Sequence, residues 1–403
     1  MQKNKIAIIG TVGLPAKYGG FETLAAHLVT QLSSKYNFTV YCSKKKYTKQ
    51  ERIQTYKGAK LKYIPLEANG IQSIPYDTIA ILHAVFTSDV LLILGVAGAW
   101  ILPFVRLFTN KKIIISIDGI EWKRDKWSTL AKLYLWWAEK MAVRYSHIDI
   151  SDNESIQDYT ALRYQTISRV IEYGADHTLM VKPTLEDVQK YPFLQEEYAV
   201  KVCRIEPENN VHLVLEAFKM EQKTNLVLVG NWNNSAYGKA LKKQYENCNN
   251  ISLFDPINNQ REIDLIRGNA SLYIHGHSAG GTNPSLVEAM YLQLPVLSFK
   301  VSYNITTTEN KALYFSSSEE LIGQLNTLSK TKLKQLGTDM KAIANRRYTW
   351  NTIAKQYDYL IQEALISEEK SSVFSKIQKL DPLFLQEFQL SHLQNNTFFY
   401  ENS

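Results

Sequence analysis

The residues best placed to do chemistry lie between His275 and Pro295, in the run His-Gly-His-Ser-Ala-Gly-Gly-Thr-Asn-Pro-Ser-Leu-Val-Glu-Ala-Met-Tyr-Leu-Gln-Leu-Pro. Residues 271–274 before it are apolar and read as the end of a buried strand. Gly280 and Gly281 permit backbone angles that other residues resist. Asn283 is a good N-cap, and Pro284 suits the first helical position. The helix must stop near Leu294, because Pro295 disfavours helix at the residue before it. A strand, a glycine loop and a helix start offer backbone N–H groups around Gly280, Gly281, Thr282, Asn283 and Ser285 to an anion, most often phosphate. Glu288 lies too far along to cap this helix. It is placed to accept from a neutral hydroxyl pair, such as a ribose; the alternative is a solvated helix carboxylate.

Three other stretches carry candidate groups. The loop Gly10-Thr-Val-Gly-Leu-Pro-Ala-Lys-Tyr-Gly-Gly-Phe-Glu-Thr holds Tyr18 and the pair Gly19-Gly20, which lets the backbone come close to a ligand. The cluster Asp118-Gly-Ile-Glu-Trp-Lys-Arg-Asp-Lys-Trp follows a strand end, where ligands of open α/β sheets bind. There Asp118 and Glu121 can act as base or orienter toward a hydroxyl. Arg124 and Lys126 can meet a phosphate, and Trp122 and Trp127 can stack on a sugar or simply pack. Arg204 stands between a buried strand and a helix start, with Asn209 five residues on.

These groups need strands that end beside one another. Residues 5–10, 37–42, 60–64, 90–94, 112–117 and 148–151 read as strands. Helices are expected over about 21–33, 73–87, 127–145 and 155–164. Strands alternating with helices imply a doubly wound parallel sheet. The pattern repeats after residue 198, with strands at 198–203, 225–230, 250–255 and 295–299. Two Rossmann-like α/β domains follow: residues 1–172, then 173–349, with a helix over 350–366 and an extension over 367–403. In the helix 127–145, Trp136, Trp137 and Met141 are expected in the core. The apolar run 90–105 is shorter than a membrane span and broken by Gly95, Gly98 and Pro103, so it reads as a buried strand, a turn and an apolar helix. The dinucleotide pattern Gly-x-Gly-x-x-Gly is not met in the first loop, which disfavours a dehydrogenase.

The segment 275–295 resembles the donor-binding segment of the retaining glycosyltransferases of family 4, which have the GT-B fold. The resemblance implies two domains around a nucleotide-sugar cleft, with Glu288 as the ribose-binding second Glu of a Glu-x7-Glu pair. The first Glu would fall at Gly280 and is missing. Residues 204–218 are similar to the family loop in which Arg204 and a lysine five residues later clamp the donor pyrophosphate, but Asn209 stands in that lysine's place. The wordings Gly-Gly-Thr-Asn-Pro-Ser-Leu-Val-Glu-Ala, Gly13–Thr23 and Ser116–Trp127 resemble a bacterial rhamnosyltransferase-like subgroup that builds capsule and other surface polysaccharides. For that subgroup the expectation is retaining transfer of L-rhamnose from dTDP-rhamnose to a lipid-linked saccharide. Asp118, Glu121 and Arg204 are the expected catalytic residues, and Tyr18, Trp122, Arg124 and Lys126 the expected acceptor side. Alternatives are a galactosyl, glucosyl or fucosyl transferase using a UDP or GDP donor, and a degenerate nucleotide-binding protein.

The 403-residue chain has a net charge of +7, unevenly spread. Residues 1–170 hold 23 lysines and arginines against 13 acids, leaving 23 against 26 for the rest. The basic half suggests an anionic partner; an anionic inner membrane face fits the resemblance, and no nucleic-acid motif occurs. Three scattered cysteines lack metal spacing, and no Asp-x-Asp motif occurs, so neither a metal nor another cofactor is expected. With no signal peptide in view, the expected location is the cytoplasm, at the inner face of the membrane.

Overall fold

The computed structural model describes residues 3–17, 19–117, 119–124, 127–370 and Gln386. The described residues divide into two compact units: residues 3–172 with residues 350–370, and Tyr173–Thr349. Each is an α/β unit around a parallel sheet.

The first unit holds β1 (Lys5–Ile9), β2 (Asn37–Ser43), β3 (Thr55–Tyr56), β4 (Ala59–Ile64), β5 (Val90–Leu94), β6 (Lys112–Ser116), β7 (Ile148–Ser151) and β8 (Arg169–Val170). The spatial order is β3-β4-β2-β1-β5-β6-β7-β8, and only β3 pairs antiparallel. The central strands are apolar without alternation because both faces are covered: every residue of β5 is buried. Strand order reverses between β1 and β5, so the loops leaving these two strands flank the switch point where such sheets bind ligands.

The second unit holds β9 (Tyr198–Val202), β10 (Asn225–Val229), β11 (Ile251–Phe254), β12 (Leu272–His275), β13 (Val296–Phe299) and β14 (Leu313–Phe315), all parallel. Their order is β11-β10-β9-β12-β13-β14, with the reversal between β9 and β12. One core lies on each face of this sheet, with Val200 and Tyr273 in one and Ala199 and Ile274 in the other.

Helix Trp350–Ile366 belongs to the first unit. It is tied there by the stack of Trp350 on His27 (centroids 4.1 Å apart), Tyr36 donating to Asp358 (2.7 Å) and Arg169 paired with Glu363 (2.9 Å). Most of the extension 367–403 lies outside the described residues. Among the described residues, no helix is long and apolar enough to cross a membrane.

One expectation fails. Trp136 and Trp137 are 43% and 41% exposed, and Met141 is only partly buried. Helix Thr129–Tyr145 buries the stripe Leu135, Ala138 and Ala142, and the two tryptophans fall beside that stripe. Trp136 instead lies under the Arg163 guanidinium, 4.8 Å from its ring centroid.

Candidate functional site

In the second unit the loops leaving β9 and β12 carry the candidate groups. β12 ends at His275; Gly276 to Thr282 form the loop; Pro284–Tyr291 is a helix. Asn283 caps it, its Oδ1 accepting from Ser285 N (3.0 Å) and Ser285 Oγ (2.8 Å). The cap takes the Ser285 N–H, and Pro284 has none. Of the donors expected there, Gly281 and Asn283 keep N–H groups that no protein acceptor engages among the described residues. Gly280 has φ +97°, a conformation that glycine alone adopts without strain.

The other loop sits close beside this one. Ser278 donates through both N (2.8 Å) and Oγ (3.0 Å) to the Glu208 carbonyl. Asn209 is buried and its Oδ1 contacts His277 Nδ1 at 3.1 Å. Asn304 Nδ2 holds the His277 carbonyl at 2.8 Å, so this side chain braces the loop. A Cβ on Gly276 would stand 2.4 Å from the Asn209 carbonyl oxygen, so glycine is what lets the loops touch. Arg204 is 41% exposed in its side chain, and its contact with Glu206 is loose at 3.9 Å.

Glu288 is neither a cap nor a solvated carboxylate. Its Oε2 pairs with the Arg267 guanidinium and its Oε1 lies 3.1 Å from His177 Nε2. Arg267 is 2% exposed and also meets Asp264 at 3.5 Å. Burial alone would raise the Glu288 carboxyl; the Arg267 charge and the His177 hydrogen bond outweigh it and hold it at about 2. The carboxylate is therefore ionised and oriented, with lone pairs left for a hydroxyl donor. Arg267 and His177 lay outside the sequence expectations, since nothing near them in sequence marks them as partners of Glu288.

In the first unit, Gly19 has φ +126°, and a Cβ there would stand 1.9 Å from Glu22 Oε2. The buried Glu22 accepts from Val12 N at 2.5 Å and so braces the loop after β1. Gly20 opens helix Gly20–Leu32. Glu121 accepts from Arg124 Nη1 (3.0 Å) and Trp127 Nε1 (2.9 Å). Trp122 Nε1 donates to Tyr159 Oη (3.0 Å), and Tyr159 donates to buried Glu139 (2.5 Å). Tyr18, Asp118 and Lys126 lie outside the described residues.

Residues 184–343 match the family "Glycosyl transferases group 1", and residues 3–176 match "Domain of unknown function (DUF1972)". No curated protein matches the chain. Solved structures share the fold at low identity. Sucrose-phosphate synthase from Thermosynechococcus elongatus matches with TM-score 0.75 at 14% identity, over 90% of this chain and 99% of its own. A glycosyltransferase from Rickettsia africae gives 0.70 at 13%, over 91% and 100%. Anabaena HepE in complex with UDP gives 0.66 at 16%, over 89% and 100%. The fold is thus GT-B, and residues 184–343 carry a domain of the glycosyl transferases group 1 type. That domain contains every residue of the second unit's site except His177.

Proposed function

We propose that the chain transfers a sugar from a nucleoside diphosphate donor, with L-rhamnose from dTDP-rhamnose as the best match, onto a lipid-linked saccharide, with retention at the anomeric carbon, in the assembly of capsule or other surface polysaccharide. The observation that carries this reading is the oriented Glu288 carboxylate just past a capped helix start, at the point where strand order reverses. Glu288 accepts from the ribose hydroxyls. Arg204 and the N–H groups of Gly281 and Asn283 take the charge that develops on the departing diphosphate, which is the electrostatic work such a transfer needs. No divalent cation is required, and activity should survive EDTA. A UDP-hexose donor is the second reading, favoured by the likeness to HepE, whose structure is described with UDP-glucose.

The first unit supports a membrane-borne acceptor. Ile79, Leu82 and Phe86 are exposed on helix Ser73–Thr87, Phe104, Leu107 and Phe108 on helix Leu102–Phe108, and Leu130 and Leu133 on helix Thr129–Tyr145. An apolar groove of about 430 Å³ runs between the first and last of these helices, lined by Ile74, Ile79, Trp100 and Trp137 among others. The acids of the three helices, Asp77 and Glu139, are buried, whereas Lys140 and Arg144 are exposed. An apolar face edged by cations suits an anionic lipid surface.

The test is turnover of dTDP-rhamnose, UDP-glucose, UDP-galactose and GDP-fucose with a synthetic lipid-linked saccharide. Consumption of one donor with its anomeric configuration kept is expected. Binding of several donors with consumption of none would leave a nucleotide-binding protein without catalysis.

A further inference from the structure

Lys201 sits inside β9, in the sequence Tyr-Ala-Val-Lys-Val, and is 1% exposed. Burying an ammonium costs several kcal/mol unless an anion meets it. Among the described residues, Lys201 has no salt bridge and no hydrogen bond. Its Nζ lies 2.8 Å from where a Cβ on Gly276 would stand, so the bare glycine lets the ammonium come up against the loop that leaves β12. The same position approaches the Asn209 carbonyl, in the loop that follows Arg204. On the other face of the sheet, shared with Tyr273, His275 is 3% exposed and its Nε2 has no hydrogen-bond partner among the described residues. The His275 ring stacks on Tyr273 (centroids 6.0 Å apart), whose hydroxyl bonds Ser285 Oγ (2.9 Å) at the helix start. A buried ammonium that no anion among the described residues meets, at the end of the strand from which the Arg204 loop leaves, is what an anion site needs.

We propose that Lys201 is the second cation of the diphosphate site, reaching the phosphate oxygens from inside the sheet and replacing the cation that Asn209 does not supply. This rests on the nucleoside diphosphate reading above. The ligand's phosphates then lie between the ammonium of Lys201 on one side and the guanidinium of Arg204 with the Gly281 and Asn283 N–H groups on the other. An ammonium held ready in an anion-free site weakens the empty protein and strengthens the loaded one.

The experiment compares the full-length chain with Lys201→Met and Arg204→Ala by calorimetric titration with UDP, dTDP and UMP, and by thermal melting without ligand. The expected result is that Lys201→Met weakens diphosphate binding about tenfold or more, as loss of a charge-assisted contact implies. It should also melt at the same temperature as the wild type or higher, because an unpaired buried charge has gone. Lys201→Gln serves as the second variant and should behave alike. Diphosphate affinity within about twofold of wild type in both Lys201 variants, with Arg204→Ala still weakened, overturns the role of Lys201 and leaves the donor reading standing. A lower melting temperature with unchanged affinity overturns it equally and assigns Lys201 to the core. No binding of UDP or dTDP by the wild-type chain overturns both.

Discussion

Replacing Glu288 by Gln strips the buried Arg267 guanidinium of its ionised partner. Two routes give the size of the loss. Holding a carboxyl at about 2 instead of the ordinary 4.5 is worth about 3 kcal/mol. Removing one member of a buried ion pair costs about 3–5 kcal/mol. Asp264 remains beside Arg267 and the new amide still accepts a hydrogen bond, which favours the lower figure. For a domain of this size, about 3 kcal/mol lowers the melting temperature by roughly 6–12 °C. The carboxyl is depressed, so its stabilisation is full above pH ~4.5 and disappears as pH falls toward 2. Calorimetric melts at pH 7 and pH 4 should therefore show a wide gap between wild type and Glu288→Gln at pH 7 and a narrower one at pH 4. Adding Arg267→Met to the variant should regain part of the loss, because the guanidinium is gone while Asp264 keeps the Leu179 N–H and the Gln260 amide as donors. A Glu288→Gln protein that melts within about 1 °C of wild type at pH 7 would refute this reasoning.

Other consequences can be measured separately. Arg204→Ala should weaken dTDP or UDP binding about tenfold or more by calorimetry, the loss of a hydrogen bond to a charged group being about 1.5–3 kcal/mol, while leaving the melting temperature unchanged. Burial pushes Asp77 up to about 8, so the folded chain keeps a proton there that the unfolded chain releases, and stability falls as pH rises from about 4 to 8. Asp77→Asn should remove that loss and raise the melting temperature at pH 8 more than at pH 5. Gly323→Ala, inside helix Ser318–Thr327 with open space around it, should stabilise by about 0.5–1 kcal/mol in urea unfolding. Gly276→Ala should instead destabilise by about 1–3 kcal/mol, since its Cβ meets backbone. Leu107→Glu with Phe108→Glu should cut cosedimentation with anionic lipid vesicles while dTDP affinity stays constant.

Local chemistry made much of this readable in the sequence. The continuous apolar strand Val90–Leu94, the Asn283-Pro284 start and the alternation of strands with helices name the sheets and the site helix without tertiary information. Glu288 was legible as a group for hydroxyls, but its partners were not. Arg267 is 21 residues away in sequence and His177 is 111 away, so only folding brings them together. Trp136 and Trp137 were misplaced because helical spacing fixes the width of the buried stripe but not which neighbouring positions it includes. Lys201 left one trace, a lone charge in an apolar strand, and burial without a partner gives that trace its meaning.

The most direct test of the account is a crystal structure of the full-length chain with a bound nucleoside diphosphate, dTDP first and UDP second. The phosphates should rest on Arg204 and the backbone at Gly281–Asn283, with the ribose hydroxyls on Glu288. A nucleotide bound elsewhere, with Arg204 turned to bulk solvent and Glu288 touching only Arg267 and His177, would contradict it.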